Sequence, residues 1–146
     1  MITADQLVAH AIGDYVLQSD WMANEKTKKS VAALAHVVTY TLPFLWLTRS
    51  LAALAVILVT HFVIDRWRLA RYVCWAKNWL ATRWMIRARA DGSLTIQDPI
   101  RNLSWAECAA TGYPPDRPAW LAVWLLIIAD NVMHVVINGL AIRYLG

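Results

Sequence analysis

Residues 51–66 read LAALAVILVTHFVIDR, and this stretch decides the fold. Leu51 to Val59 is an unbroken apolar run with no charge, too greasy for a helix that turns one face to water. Within the same segment stand His61 and Asp65, four residues apart and so on one face of a helix, one turn from each other. An ionisable group inside an apolar span costs several kcal/mol unless it is paired, hydrated or coordinated, roughly 2.5–3.5 kcal/mol on insertion scales. The segment therefore predicts a membrane helix that carries a functional face.

The same character extends in both directions. Only Thr48, Arg49 and Ser50 separate this helix from another apolar segment at 31–47, which predicts a tight helical hairpin. Further apolar segments lie at 2–18 and 119–142, so the four predicted spans are 2–18, 31–47, 51–65 and 119–142. Spans of about 17–20 residues rise roughly 25–30 Å, just enough for a hydrocarbon core. The whole chain agrees: of 146 residues 59% are hydrophobic and 16% charged, with nine Trp, too little polar surface to cover a soluble domain. The expected fold is all-α, a single polytopic domain of about four transmembrane helices. No basic n-region or small-residue cleavage site follows Met1, so the first helix is expected to stay.

Between the third and fourth spans the composition changes. Residues 66–90 read RWRLARYVCWAKNWLATRWMIRARA, basic and Trp-rich without Pro or Gly, as suits an amphipathic helix lying in the headgroup layer. The alternative is that this segment prolongs the third helix. A loop continues through Pro114, Pro115 and Pro118, with a short helix expected at Ser104 to Ala110. Lys26, Lys28 and Lys29 come after the first span, and nine further basic residues lie between the third and fourth, against only Arg49 and Arg143 on the other side. The positive-inside rule then puts both termini outside the cytoplasm in a multi-pass bacterial inner-membrane protein. The basic residues of the long loop alternate with Trp, Leu, Val and Ile, which argues for membrane lipids as partners and against nucleic acid.

The polar residues of the spans are not scattered. His10 and Asp14 are four apart in the first span, His61 and Asp65 in the third, and Asp130 and His134 in the fourth; His36 lies in the second, with Tyr40 one turn on. The first helix continues the stripe as Gln6, His10, Asp14 and Gln18, the third adds Arg68, and the fourth adds Asn131 and Asn138. Gly13, beside Asp14, would let a neighbouring helix approach closely. Three explanations compete. The imidazoles and carboxylates could converge on one or two divalent ions, zinc by default for a His-rich set, with the remaining groups orienting the ligands. They could form a proton or ion path, or they could glue the helices together, although such glue usually needs one or two polar residues per interface. The candidate metal ligands are His10, Asp14, His36, His61, Asp65, Asp130 and His134. His134 lies deepest, so either the fourth helix starts later than drawn or the cluster has two tiers. Cys74 and Cys108 have no metal-ligand spacing, which removes a thiolate site and a disulfide scaffold.

A metal site near the cytoplasmic leaflet implies hydrolysis of a lipid-linked or phosphate-bearing substrate, because a bound ion lowers the pKa of water to about 7. Asp14, Asp65 or Asp130, if off the metal, would be the general base. Lys26, Lys28, Lys29, Arg66, Arg68 and Arg71 surround the mouth, either as ordinary flanking charge or, for Arg68 above all, as a phosphate contact. Trp21, Trp67, Trp75, Trp79 and Trp84 read as interface anchors. The alternatives are a small metal-ion or proton transporter, which would require a homo-oligomer, and a non-enzymatic phage accessory protein for lysis or exclusion.

His10, Asp14, Leu17, Gln18, Asp20, Trp21, Met22 and Ala23, together with His36 to Tyr40, His61-x-x-x-Asp65 and Asp130-Asn131-x-x-His134, resemble a family of small membrane proteins of phages and bacteria, domain of unknown function family 3307. The resemblance implies a membrane location and no activity. Asn131 stands where such families typically carry Gln, which keeps an amide. More loosely, His-x-x-x-Asp helices are similar to those of inner-membrane metal-dependent hydrolases, which implies a hydrolytic reaction without naming a substrate.

Overall fold

The structure, a computed structural model, describes residues 2–80, 86–88, 94–96, 104–115 and 117–146. Two compact units are distinguished, Met1–Ala70 with Ile127–Gly146, and Arg71–Leu126.

The first unit begins with α1 (Ala4–Ala11), which opens on a reciprocal cap: the Gln6 N–H donates to Thr3 Oγ1 while the Thr3 N–H donates to Gln6 Oε1. The winding then loosens into a π-helical turn, Ile12–Val16, closed by the Leu17 N–H donating to the Ile12 carbonyl. Such turns concentrate at functional sites because the extra residue re-aims a side chain; the residue at its centre is Asp14. The predicted first span thus stops near Val16, and Ser19 caps a separate short helix, α2 (Asp20–Glu25). Helix α3 (Ser30–Thr41) runs into a 3-10 segment, Leu42–Trp46, where Pro43 lacks the N–H that an α-helical ladder would need. After the turn Thr48–Ser50, α4 (Leu51–Trp67) is capped by Ser50 Oγ, which accepts from the Ala53 N–H. α4 packs closely against α3, as the short connection requires.

Arg68 ends α4 in a left-handed conformation, φ 53°, and the Leu69 N–H donates to the Ile64 carbonyl across it. This closing motif normally uses glycine. It corrects the expectation of a single basic helix over 66–90: Arg66 and Trp67 belong to α4, the chain turns at Arg68, and α5 covers only Ala70–Leu80. Residues 81–85, Trp84 among them, lie outside the described residues, and Ile86–Ala88 (β1) pairs antiparallel with Leu94–Ile96 (β2). In this second unit, Tyr72 stacks on Trp105 of α6 (Trp105–Cys108) at 4.4 Å between centroids, Arg71 donates to the Ala109 carbonyl, and Asn78 donates to the Gly112 carbonyl. The described elements are otherwise helical, as expected.

The last helix, α7 (Ala119–Leu145), has 27 residues and a mean hydropathy of 2.0 over its best window, of which 11% is buried. Among the described residues it is the one helix long and apolar enough to cross a membrane; Ser30–Trp46 is a shorter apolar helix. The expectation of about four spans therefore meets one that qualifies by length and composition.

Burial in the first unit runs opposite to a water-soluble domain. Its interior contains an apolar cluster of Ala9, Tyr40, Phe44, Ile57 and Ala141, but also His10, Asp14, His36, His61, Asp65, His134 and Asn138. Its outside carries Val16, Val31, Trp46 and Leu51, the last two more than 80% exposed. Gly13 permits the tightest helix approach: a Cβ there would fall 2.5 Å from Tyr40 Cδ2 and 3.0 Å from the Tyr40 carbonyl oxygen. Gly13→Ala should destabilise the fold by about 1–3 kcal/mol, the usual cost of overpacking. At Gly139 an added Cβ would meet Ile2 Cγ1 and Gln6 Oε1, which can move, so Gly139→Ala should leave the melting temperature near wild type. Thermal unfolding of the two variants in detergent checks the difference.

Candidate metal centre

Four side chains from three helical segments converge at the centre of the first unit. The π-turn presents Asp14, α3 presents His36, and α4 presents His61 and Asp65, all buried. His36 Nε2 lies 3.0 Å from His61 Nε2. Asp14 Oδ1 lies 3.2 Å from His36 Nε2 and 3.4 Å from His61 Nε2, and Asp65 Oδ2 lies 3.2 Å from each of the same two nitrogens. The four atoms thus make two triangles that share the His36–His61 edge. Two ligands of one ion in a tetrahedral site, each bonded at about 2.0–2.1 Å, stand roughly 3.3–3.4 Å apart, close to the separations within each triangle.

The protonation chemistry points the same way. Two Nε2 atoms in contact cannot both serve as donors to each other, and if both present lone pairs they face two carboxylate oxygens as well. A cation between them satisfies all four at once. Asp14 Oδ1 is buried without a well-aligned hydrogen bond, as a ligand oxygen aimed at an ion would be. Both Nδ1 atoms, of His36 and His61, also lack a hydrogen-bond partner, a departure from metal-bound histidines, whose second nitrogen usually donates. The cluster of Asp14, His36 and His61, and an overlapping one of His61, Asp65 and His134, can hold a metal ion.

Around the four lies an outer tier that orients them. Asp14 turns its other oxygen, Oδ2, to His10 Nδ1 at 3.4 Å, and Asp65 turns Oδ1 to His134 Nε2 at 3.3 Å. Asp65 is thus held from behind by His134, the usual role of outer-tier partners. His10 is engaged on both nitrogens, with Tyr40 Oη at 2.8 Å from Nδ1 and Asn131 Oδ1 at 3.1 Å from Nε2. Asn138 donates to the Tyr40 hydroxyl at 2.6 Å, and Asn131 donates to the Tyr15 hydroxyl at 2.6 Å. His134 stacks on His61 at 3.8 Å and lies 3.3 Å from Asp130 Oδ2. Asp130 is the more open carboxylate, 28% exposed.

The seven predicted ligands are therefore close together: Asp14 and Asp65 each face the His36–His61 pair, His134 joins His61 and Asp65 in the second candidate group, and His10 and Asp130 lie beside Asp14 and His134. Arg68 stands exposed at the left-handed end of α4, just past the helix that carries His61 and Asp65. The cation that enters the cluster is Lys26, whose Nζ lies 2.7 Å from Asp65 Oδ2, 2.7 Å from Gln18 Oε1 and 3.3 Å from His36 Nε2. Lys26 was legible only as flanking charge, because it sits on a turn and shares no helical period with the ligands. The turn is pinned by Arg66, which donates to the Thr27 carbonyl and the Ser30 hydroxyl. Lys29 and Lys28 instead pair with Glu25, whose carboxyl the Lys29 ammonium holds below the usual carboxylate range.

Comparison with known proteins adds a family and no activity. Neither a curated protein nor a solved structure matches the chain. The profile of a family described as a protein of unknown function (DUF3307) matches residues 2–87. That stretch contains all four inward-facing side chains, Lys26 and Tyr40, and ends before Asp130 and His134, so the match is confined to the first part of the chain. With more than half of the 146 residues matched, from the cap of α1 through α4 and beyond, the chain belongs to the DUF3307 family.

Proposed function

We propose that this chain is a membrane-embedded metalloprotein in which Asp14, His36, His61 and Asp65 hold a divalent ion, and that the ion serves hydrolysis of a lipid-linked or phosphate-bearing substrate at the cytoplasmic leaflet. The observation that carries the reading is the pair of ligand triangles, with separations of 3.0–3.4 Å. A mixed imidazole and carboxylate set without thiolate suits zinc, with iron or manganese as alternatives. Asp65 faces His36 and His61 through Oδ2 and His134 through Oδ1, so His61, Asp65 and His134 are the residues that would hold a second ion.

Membrane embedding is supported by the ionisable side chains buried in the first unit beside apolar ones exposed on its outside, and by α7, of whose most apolar window only 11% is buried. Exposed apolar faces of this extent normally mark contact with lipid or another protein. In this reading all four apolar segments lie in the bilayer of a bacterial inner membrane, with both termini outside. The contacts of Arg66 with Thr27 and Ser30 bring the end of α4 to the level of the lysine turn, which supports placing that level at the cytoplasmic face. The 13 helical residues from Ala4 to Val16 rise only about 20 Å, so the bilayer thins around them.

When bound, a divalent ion would supply Lewis acidity, lowering the pKa of water and polarising a phosphoryl oxygen. Attack of that water on phosphorus, with cleavage of the bond to the leaving oxygen, would need a carboxylate of this chain to take one water proton. Asp130, paired with His134 and not aimed at His36 and His61, is the candidate base. Arg68 is a candidate contact for the substrate's negative charge.

Elemental analysis of the detergent-purified protein should find zinc, iron or manganese near one or two ions per chain. The metal should be lost in His36→Ala and His61→Ala, whereas His10→Ala, which removes an orienting partner, should weaken binding roughly 10–100-fold without abolishing it. A folded, metal-free wild-type protein would sink the metal reading. With metal bound, cleavage of phospholipid, polyprenyl-phosphate or nucleotide substrates should fall at least about 100-fold in Asp130→Asn, as for loss of a general base. Zinc-dependent flux in liposomes, with every substrate left intact, would replace hydrolysis by transport.

A further inference from the structure

Of the three lysines on the turn between α2 and α3, two point outward. Lys28 and Lys29 are about two-thirds exposed and pair with Glu25, whereas the Lys26 side chain is 18% exposed and reaches into the cluster. Its ammonium contacts the same two atoms, Asp65 Oδ2 and His36 Nε2, that face the proposed ion. These distances leave Nζ no farther than roughly 3.8 Å from an ion bonded to both atoms at about 2.0–2.1 Å. A divalent ion and an ammonium so close repel strongly in a site with little water, so the two cations compete for Asp65.

Resting on the metal reading above, we infer that Lys26 is a displaceable counter-ion: it neutralises Asp65 when no metal is bound and, when metal enters, turns to hold the phosphate group of the ligand beside it. Two carboxylates, Asp14 and Asp65, balance a divalent ion. The displaced ammonium is then the surplus positive charge, tethered within reach of the metal by a turn that Arg66 anchors. A ligand of one negative charge, such as a phosphodiester or a singly charged phosphate, restores neutrality by lying between ion and ammonium. Gln18, which now accepts from Nζ, remains as the amide against which the lysine turns. Metal and phosphate binding become coupled through one side chain, and such coupling is reciprocal.

Calorimetric titration of the full chain in detergent tests this. Without phosphate, Lys26→Met and Lys26→Gln should bind zinc at least tenfold more tightly than wild type, because the competing charge is gone. With zinc present, the same variants should bind inorganic phosphate at least tenfold more weakly, while Lys26→Arg retains it. A purely structural lysine would not move the two affinities in opposite directions. As a second measurement on the wild-type chain, acetylation of Lys26 read by mass spectrometry should be slow without metal and fast with zinc. It should slow again when zinc is joined by inorganic phosphate or by phosphatidylglycerol, and not by phosphatidylcholine alone. Protection by phosphatidylglycerol but not inorganic phosphate would identify a lipid headgroup as the source, and protection by inorganic phosphate a free anion. If wild type binds none of zinc, iron and manganese, both this inference and the metal reading fall. If wild type binds zinc but the variants bind it no more tightly, or zinc leaves Lys26 acetylation unchanged, the counter-ion role alone is overturned.

Discussion

Two carboxylate oxygens facing two imidazole nitrogens, in an interior nearly sealed from water, set the terms for the rest of this unit. Asp14 Oδ1 and Asp65 Oδ2 each contact both His36 and His61, and buried charge at such density is tolerated only when every group has a partner or an ion. The outer ring answers part of that demand. His134 takes the Asp65 oxygen that turns away, Tyr40 and Asn131 engage His10, and Asn138 reaches Tyr40. Removing one member would leave its neighbour buried and unpaired, so the network is a single cooperative object.

The backbone bends to serve it. A regular helix through Ile12–Val16 would carry Asp14 at another angle; the π-turn supplies the extra residue, and Gly13 lets that turn lie against the Tyr40 ring. Tyr40 in turn packs its face at 3.7 Å on His61 while its hydroxyl reaches His10. One aromatic side chain thus joins the apolar cluster around Phe44 and Ile57 to the polar one above it. The short turn Thr48–Ser50 forces α3 and α4 side by side, which places His36 against His61.

Charge at the open end of the cluster is organised in the same economical way. Arg66 ties the turn at Thr27 and Ser30 to the end of α4, Glu25 collects two lysines, and the third enters the cluster. The electrostatic character of the site therefore depends on a loop as well as on the helices. Loops held by a rigid scaffold are where ligand recognition is usually placed.

Much of this was legible in the linear sequence because its signals are local. The apolar runs and the four-residue spacing of His10 with Asp14, His61 with Asp65 and Asp130 with His134 are properties of single helices, and so the helical class, the hairpin at 48–50 and the membership of the cluster could be read from them. The small residue at Gly13 also carried its meaning, since close approach needs no more than a missing Cβ. What the tertiary structure decided is everything that depends on separations between segments. It set which of the seven histidines and aspartates meet at the His36–His61 pair and which lie around it, because a helical period says which face a side chain occupies and not which of its atoms points where. It turned the chain at Arg68, where a left-handed residue other than glycine gives no sequence signal, and so divided the basic stretch between the end of α4 and a separate α5. It brought Lys26 into the cluster from a turn that shares no periodicity with the residues it touches, since contacts across ten to forty positions in sequence are made by packing alone.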